Sequence, residues 1–329
     1  MLTLPISLVF AQILAFMLVR LWLTKSAFSP VWILIWLCAV QAAIVAFAQH
    51  YELDFFRRVQ PLGAALLPAT AWVVFQTTAM RPLRIADAIH IAGPAVIAVL
   101  IALGGIGLDL AIPALFVSYG LAIMVAVRPA GQGLPLLSLG TGDVPARLWL
   151  LIAAGLVASA FSDALIVLAQ IANVSEARPW IISVFTSGAL LVIGLVSVSP
   201  SLTEVPHDLG GAELENAQPS EDDEKIFEAL TRVLEGERLY LDPDLTLARL
   251  SRRLRIPSKK VSRAINKATG ENVSRLINGM RIEVAKEKLR QGEAVTEVML
   301  SSGFNTKSNF NREFLRITGK SPSDWRARG

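Results

Sequence analysis

LTLARLSRRLRIPSKKVSRAINKATG, residues 245–270, decides how the C-terminal part of the chain is built. Thr246 stands where it can cap a helix carrying Leu247, Leu250 and Leu254 at helical spacing. Arg255, Ile256 and Pro257 make a turn, and a second helix starts near Ser258 with Val261, Ile265 and Ala268 facing inward. Two short helices across a tight turn form a helix–turn–helix, whose second helix must present donors outward to reach base edges in a major groove. Lys259, Ser262, Arg263 and Asn266 make up that outward stripe. Eight basic residues lie between Leu245 and Gly270 with no acid among them. A basic stripe is often only a solvated face, but sign and spacing together favour nucleic acid. Arg252, Arg255, Lys260 and Lys267 are the expected phosphate contacts.

A second unit follows the first. Val295, Val298 and Met299 line a helix that stops at Ser302 and Gly303, where glycine suits a positive φ. Phe304 enters the core, and a helix begins after Thr306 with Phe310, Phe314 and Ile317 inward. Its outward stripe is Lys307, Ser308, Asn311 and Arg312. Between the units the spacing predicts a helix from Asn272 to Arg290, roughly 28 Å long at 1.5 Å per residue. Successive major-groove faces are about 34 Å apart, so one rigid helix can set two recognition helices in adjacent turns of a duplex. Another helix, from Asp223 to Leu234, precedes the first unit. The C-terminal region thus reads as seven short helices.

SSGFNTKSNFNREFLRITGKSPSDWRAR, residues 301–328, resembles the signature of the AraC/XylS family of bacterial regulators. Gly303, Phe304, Phe310, Arg312, Phe314, Gly319, Pro322, Trp325 and Arg326 occupy the matching positions, and the resemblance extends over residues 223–328. It implies a domain of two helix–turn–helix units reading bases through Lys259, Ser262 and Arg263, and through Lys307, Ser308, Asn311 and Arg312. Three positions depart from the family pattern. Ser251 replaces a usual Ala, and Leu315 replaces a customary basic residue, which removes one expected phosphate contact. Arg255 stands where the tight turn often has Gly, at little cost if it keeps a negative φ.

The rest of the chain differs in kind. Of 31 Lys and Arg, 22 lie in the last 108 residues, against 15 Asp and Glu there, so a basic water-soluble module follows an apolar body. Crossing the hydrocarbon core of a bilayer takes about 20 mostly apolar residues. Such runs occur near residues 4–23, 31–49, 59–79, 86–103, 108–127, 148–172 and 179–199, the fourth interrupted by Asp87, His90, Gly93 and Pro94. The prediction is an all-α chain: a seven-helix transmembrane bundle over 1–200, an acidic flexible linker over 201–222, and the DNA-binding domain over 223–329. With seven spans and the N-terminus outside, the inner connectors hold Lys25, Arg81, Arg84, Arg128 and Arg147, and the outer ones Arg57, Arg58 and Arg178. The positive-inside rule then puts the DNA-binding domain in the cytoplasm, and the resemblance implies that the membrane is the inner membrane of a bacterium. The first run lacks a basic leader and exceeds a signal peptide's apolar core, so no cleavage is expected.

Ionisable groups inside spans are expensive and often functional. Asp163, with Tyr119 and Gln41, is the candidate signal site, and Arg20 and Asp87 the candidate interhelical ion pair. Cys38 is the single cysteine, so no disulfide is expected, and no residue spacing predicts a metal, a cofactor or a catalytic group. Three functions fit: a one-component sensor, a passively anchored regulator controlled by a partner or by proteolytic release, and a membrane enzyme or transporter with an appended regulatory domain. The first is the reading adopted. Its expected partners are double-stranded DNA with repeated half-sites, membrane lipid, a second copy of the chain, and RNA polymerase if it activates. The ligand is not legible. A soft linker of about 24 residues has ends roughly 27 Å apart, so signalling is expected to work by bringing two modules together rather than by torque.

Overall fold

The computed structural model describes residues 5–23, 29–127, 134–136, 139, 144–174, 177, 180–185 and 220–327. The described residues are helical, with no strand element among them. The chain divides into two compact units: residues 1–127 with 148–199, and residues 128–147 with 200–329.

The first unit contains α1 (Ile6–Leu23), α2 (Val31–Gln49), α3 (Asp54–Phe75), α4 (Ala92–Ala102), α5 (Leu108–Val127) and all but the first turn of α6 (Val144–Ile171). Six candidate spans are long and apolar enough to cross a membrane among the described residues. The fourth runs from Ile85 to Ala102 and is only partly α-helical: Ile85–Ile91 is a 3-10 helix leading into α4. The seventh predicted run and the acidic linker lie largely outside the described residues; within them, residues 180–185 are helical and Ser220–Asp222 already begin the C-terminal unit.

Helix α3 packs against α2, α4 and α5. Its buried face carries Gly63, Ala65, Ala69 and Ala71, small residues that let neighbouring backbones approach closely. At Gly63 an added Cβ would lie 2.1 Å from Gln41 Oε1, so a larger residue there would displace the Gln41 side chain. Past Phe75 the helix loosens into a π-helical turn, Gln76–Met80. Phe16, Trp22, Leu110 and Phe161 are exposed on the outside of the unit.

The second unit contains α7 (Glu221–Glu237), α8 (Leu247–Leu254), α9 (Ser258–Thr269), α10 (Val273–Arg290), α11 (Val295–Ser301), α12 (Lys307–Thr318) and α13 (Pro322–Arg326). Thr246 caps α8 by accepting from Arg249 N, Asn272 caps α10, and Thr306 caps α12. Helix α7 begins two residues before the predicted start because Ser220 and Asp223 form a capping box, each side chain accepting from the other's backbone N–H.

Two cores result. One gathers Leu230, Leu234, Leu245, Leu247, Leu250, Val261 and Ile265; the other gathers Val298, Met299, Phe304, Phe310 and Phe314. Helix α10 belongs to both, giving Val273 and Ile277 to the first and Ile282, Ala285 and Leu289 to the second. Burying apolar side chains at both ends turns this helix into a strut between the units. Gly303 terminates α11 with φ +90, the conformation the sequence required of it.

Candidate nucleic-acid interface

Helix α9 packs its Val261, Ser262, Ala264 and Ile265 face inward, against α7 among others. Ser262 is 1% exposed and lies on the buried face of α9, which corrects its assignment to the outward stripe. The physical reason is the breadth of the buried face: α9 is covered from two sides, so Ser262 beside Val261 is enclosed. Ala268, predicted inward, is exposed, and Ala264 takes its place. Lys259, Lys260 and Arg263 remain exposed, while Asn266 is only half-exposed.

Tertiary contacts redistribute the eight cations of the first unit. Arg249 pairs with Asp242 at 2.6 Å, and Arg253 with Glu237 at 2.6 Å. Arg263 and Lys267 both reach Asp223, at 3.1 and 3.4 Å. Asp223 is buried, and its carboxyl is held down at about 2, first by the Ser220 hydroxyl and backbone N–H and then by Lys267 and Arg263. Lys267, assigned to phosphate, is therefore a largely covered side chain committed to an acid. Arg252, Arg255, Lys259 and Lys260 form no ion pair among the described residues and are exposed. Arg252 and Arg255 line an open groove of about 550 Å³ with Ser251, Ile256 and Pro257.

Arg255 adopts φ +58, so it does not avoid the left-handed region. That conformation costs a non-glycine residue roughly 1–2 kcal/mol. In return it ends α8 tightly: Arg255 N donates to Arg252 O, and Ile256 N to Ser251 O at 3.0 Å.

In the second unit, Lys307, Ser308 and Asn311 are exposed on one side of α12, and Leu315 continues the same face as an exposed apolar group. Arg312 is half-buried. Its Nη2 donates to Asn309 Oδ1 and its Nε to Glu313 Oε1 at 3.3 Å, and the same Glu313 accepts from Arg316 at 3.0 Å. Two lateral anchors thus hold Arg312 along the helix surface.

Sequence reasoning missed Arg281. It is 0% exposed, between the two cores on α10. Its Nε donates to Tyr240 O at 2.5 Å and its Nη2 to Asp242 O at 2.8 Å, and the guanidinium lies 5.6 Å from the centre of the Phe304 ring. Burial lowers its pKa to about 10, which leaves it charged at neutral pH. The signal was present in the chain: Arg281 falls four residues after Ile277 and four before Ala285, on the core-facing stripe.

The assignments in the first unit fare differently. Asp87 pairs with Arg81, not Arg20: Arg81 Nη1 and Nη2 donate to its two oxygens at 3.0 and 2.5 Å, and Arg84 N adds a third bond at 2.8 Å. The π-helical turn brings Arg81 back onto the start of the next span, so the near neighbour satisfies the acid; Arg20 is exposed on α1. The three proposed signal residues do not share one set of contacts. Gln41 donates to Gln60 O at 3.0 Å, and Tyr119 hydrogen-bonds His90 Nδ1 at 3.0 Å beside Trp72. Asp163 is half-buried on α6.

The family likeness falls in this second unit. Residues 250–328 match the family described as a helix-turn-helix domain, and the C-terminus carries such a domain of the AraC type. The chain is 28% identical over 99 residues to the HTH-type transcriptional regulator CdhR of Pseudomonas aeruginosa, covering 30% of each protein. It is 29% identical over 98 residues to an uncharacterized HTH-type transcriptional regulator of Staphylococcus aureus, covering 30% of this chain and 13% of that one. The chain therefore spans less than a third of the curated relatives it matches. No solved structure matches it significantly.

Proposed function

We propose that this protein is a DNA-binding transcription regulator held in a membrane by its apolar helices, and not an enzyme. The observation that carries the reading is the pair of helix–turn–helix units on a shared strut, with Lys259, Arg263, Lys307 and Asn311 on the outward sides of α9 and α12. Two heads so joined suit consecutive major grooves of double-stranded DNA, and repeated half-sites would recruit a second copy of the chain. RNA polymerase joins the list of partners if the output is activation.

Membrane embedding is supported by the six long apolar helices and by the large apolar side chains left outside the first unit. In water those side chains would be costly to expose; in lipid they are solvated, while every helix satisfies its own backbone. The orientation we adopt has the N-terminus outside and the DNA-binding unit in the bacterial cytoplasm, following the Lys and Arg bias of the loops. The spans act as the sensor of a signal. Asp163, Tyr119 and Gln41 remain the residues to vary first, and the contacts of Tyr119 add His90 and Trp72 to them.

The test is a genome-wide map of bound DNA for the parent and for a Lys259→Ala/Asn311→Ala variant at matched membrane level. Discrete sites that weaken or vanish in the variant are the expected result. An unchanged map, or the absence of discrete sites in the parent, would refute the assignment of these faces.

A further inference from the structure

We propose that Leu134, Pro135 and Leu139, from the connector between α5 and α6, are docked on the first helix–turn–helix unit as part of its fold, so that the covalent path from α5 and α6 leads straight to α8. Leu139, in this connector, is 2% exposed and sits in the first core beside Leu245 and Leu247. Leu134 is also buried, at 7%. Two backbone hydrogen bonds fix the register: Leu139 N donates to Leu245 O, and Ala248 N donates to Pro135 O, each at 2.9 Å.

The second bond has a specific consequence. The first amides of any helix lack a partner within the helix. In α8, Thr246 satisfies Arg249 N with its side chain and Leu250 N with its carbonyl, and the Pro135 carbonyl takes Ala248 N. The connector is thus part of the cap of the first helix of the reading head, as well as a plug in its core.

The reach is short. Seven positions separate the end of α5 at Val127 from Leu134, and five separate Leu139 from Val144. An extended chain of seven residues spans at most about 25 Å. The first unit's α5 and α6 are therefore joined to α8 by two short covalent paths that do not pass through the residues between Ile171 and Glu221.

Resting on the membrane reading above, docking also sets the topology. The connector and the DNA-binding unit must lie on the same side. Helix α6 leaves that side at the connector, so the chain has to cross back between Ile171 and Glu221, and residues 179–199 are the apolar run of sufficient length there. Counting back from a cytoplasmic connector through five spans places the N-terminus outside.

The experiment uses the full chain in lipid nanodiscs. Hydrogen exchange of the 245–250 peptide is followed in the parent, in Leu139→Asp and in the milder Leu139→Ser. Exchange in that peptide should rise at least tenfold in Leu139→Asp and less in Leu139→Ser, with Leu139→Met close to the parent. A rise spread over the whole unit equally supports docking, since the strap is then part of its fold. Unchanged exchange in both polar variants would overturn the proposal. The membrane reading is tested apart from this, with Leu136→Cys in a Cys38→Ser background and an impermeant maleimide. Labelling in inverted vesicles but not in intact cells agrees with a cytoplasmic connector, and the opposite pattern overturns the topology whatever the exchange result.

Discussion

Replacing Arg281 by methionine probes the joint between the two helix–turn–helix units. The guanidinium makes two charge-assisted bonds, to the carbonyls of Tyr240 and Asp242, in a site closed to water. Bonds of this type contribute about 1.5–3 kcal/mol each. Methionine fills much of the space but leaves both carbonyls without their donor. Against that loss stands the relief of a buried charge, which offsets a few kcal/mol because ions are expensive to desolvate. The balance is a destabilisation of about 3 kcal/mol. Spread over a domain of roughly 108 residues with an unfolding entropy of about 2.1 cal/mol/K per residue, this lowers the melting temperature by about 13 °C. Locally, the effect concentrates on residues 239–245, whose carbonyls Arg281 gathers against α10. Hydrogen exchange of that peptide in the full-length protein should accelerate about 100-fold. Arg281→Lys should fall between the two, since an ammonium lacks the planar fork that serves both carbonyls. Exchange within threefold of the parent in the methionine variant would refute the claim that Arg281 ties the units together.

Gly303→Ala should unfold the second unit by about 3 kcal/mol or more, because φ is +90 and the added Cβ would meet the Leu241 carbonyl oxygen at 2.7 Å; loss of exchange protection across 307–318 is the readout. Asp223 has its folded pKa depressed to about 2, so the stability it adds is complete above the ordinary carboxylate range near 4 and is lost as pH falls through about 2. Thermal melts from pH 6 to pH 2 should therefore fall more steeply for the parent than for Asp223→Asn, and parallel curves would contradict the role given to its Ser220, Lys267 and Arg263 contacts.

The C-terminal helices were legible because their causes are local. Thr246, Asn272 and Thr306 cap helices through hydrogen bonds three residues long, and Gly303 and Gly319 end helices by taking a positive φ. The aromatic stripe Phe310–Phe314 needed only helical spacing to be read as core, and both rings are fully buried. Runs of apolar residues announced the long helices for the same reason: length and composition are properties of a segment by itself. Even the interruption of the fourth run had a local sign in Asp87 and Pro94.

What tertiary structure alone decided is which polar groups meet. The sequence presented eight cations without an acid between Leu245 and Gly270, yet folding brings Asp223, Glu237 and Asp242 onto four of them, from 7 to 44 positions away. Asp87 chose Arg81 over Arg20 because a π-helical turn, not the span pattern, sets where Arg81 points. Ser262 went inward because α9 is covered by more of its surroundings than a single amphipathic stripe implies. Leu139 is the plainest case: an ordinary leucine in a loop over one hundred positions from Leu245, it becomes core only because the chain returns to it. Periodicity along a chain records which face of a helix is apolar; it holds no record of which distant residue will arrive to cover that face or neutralise it.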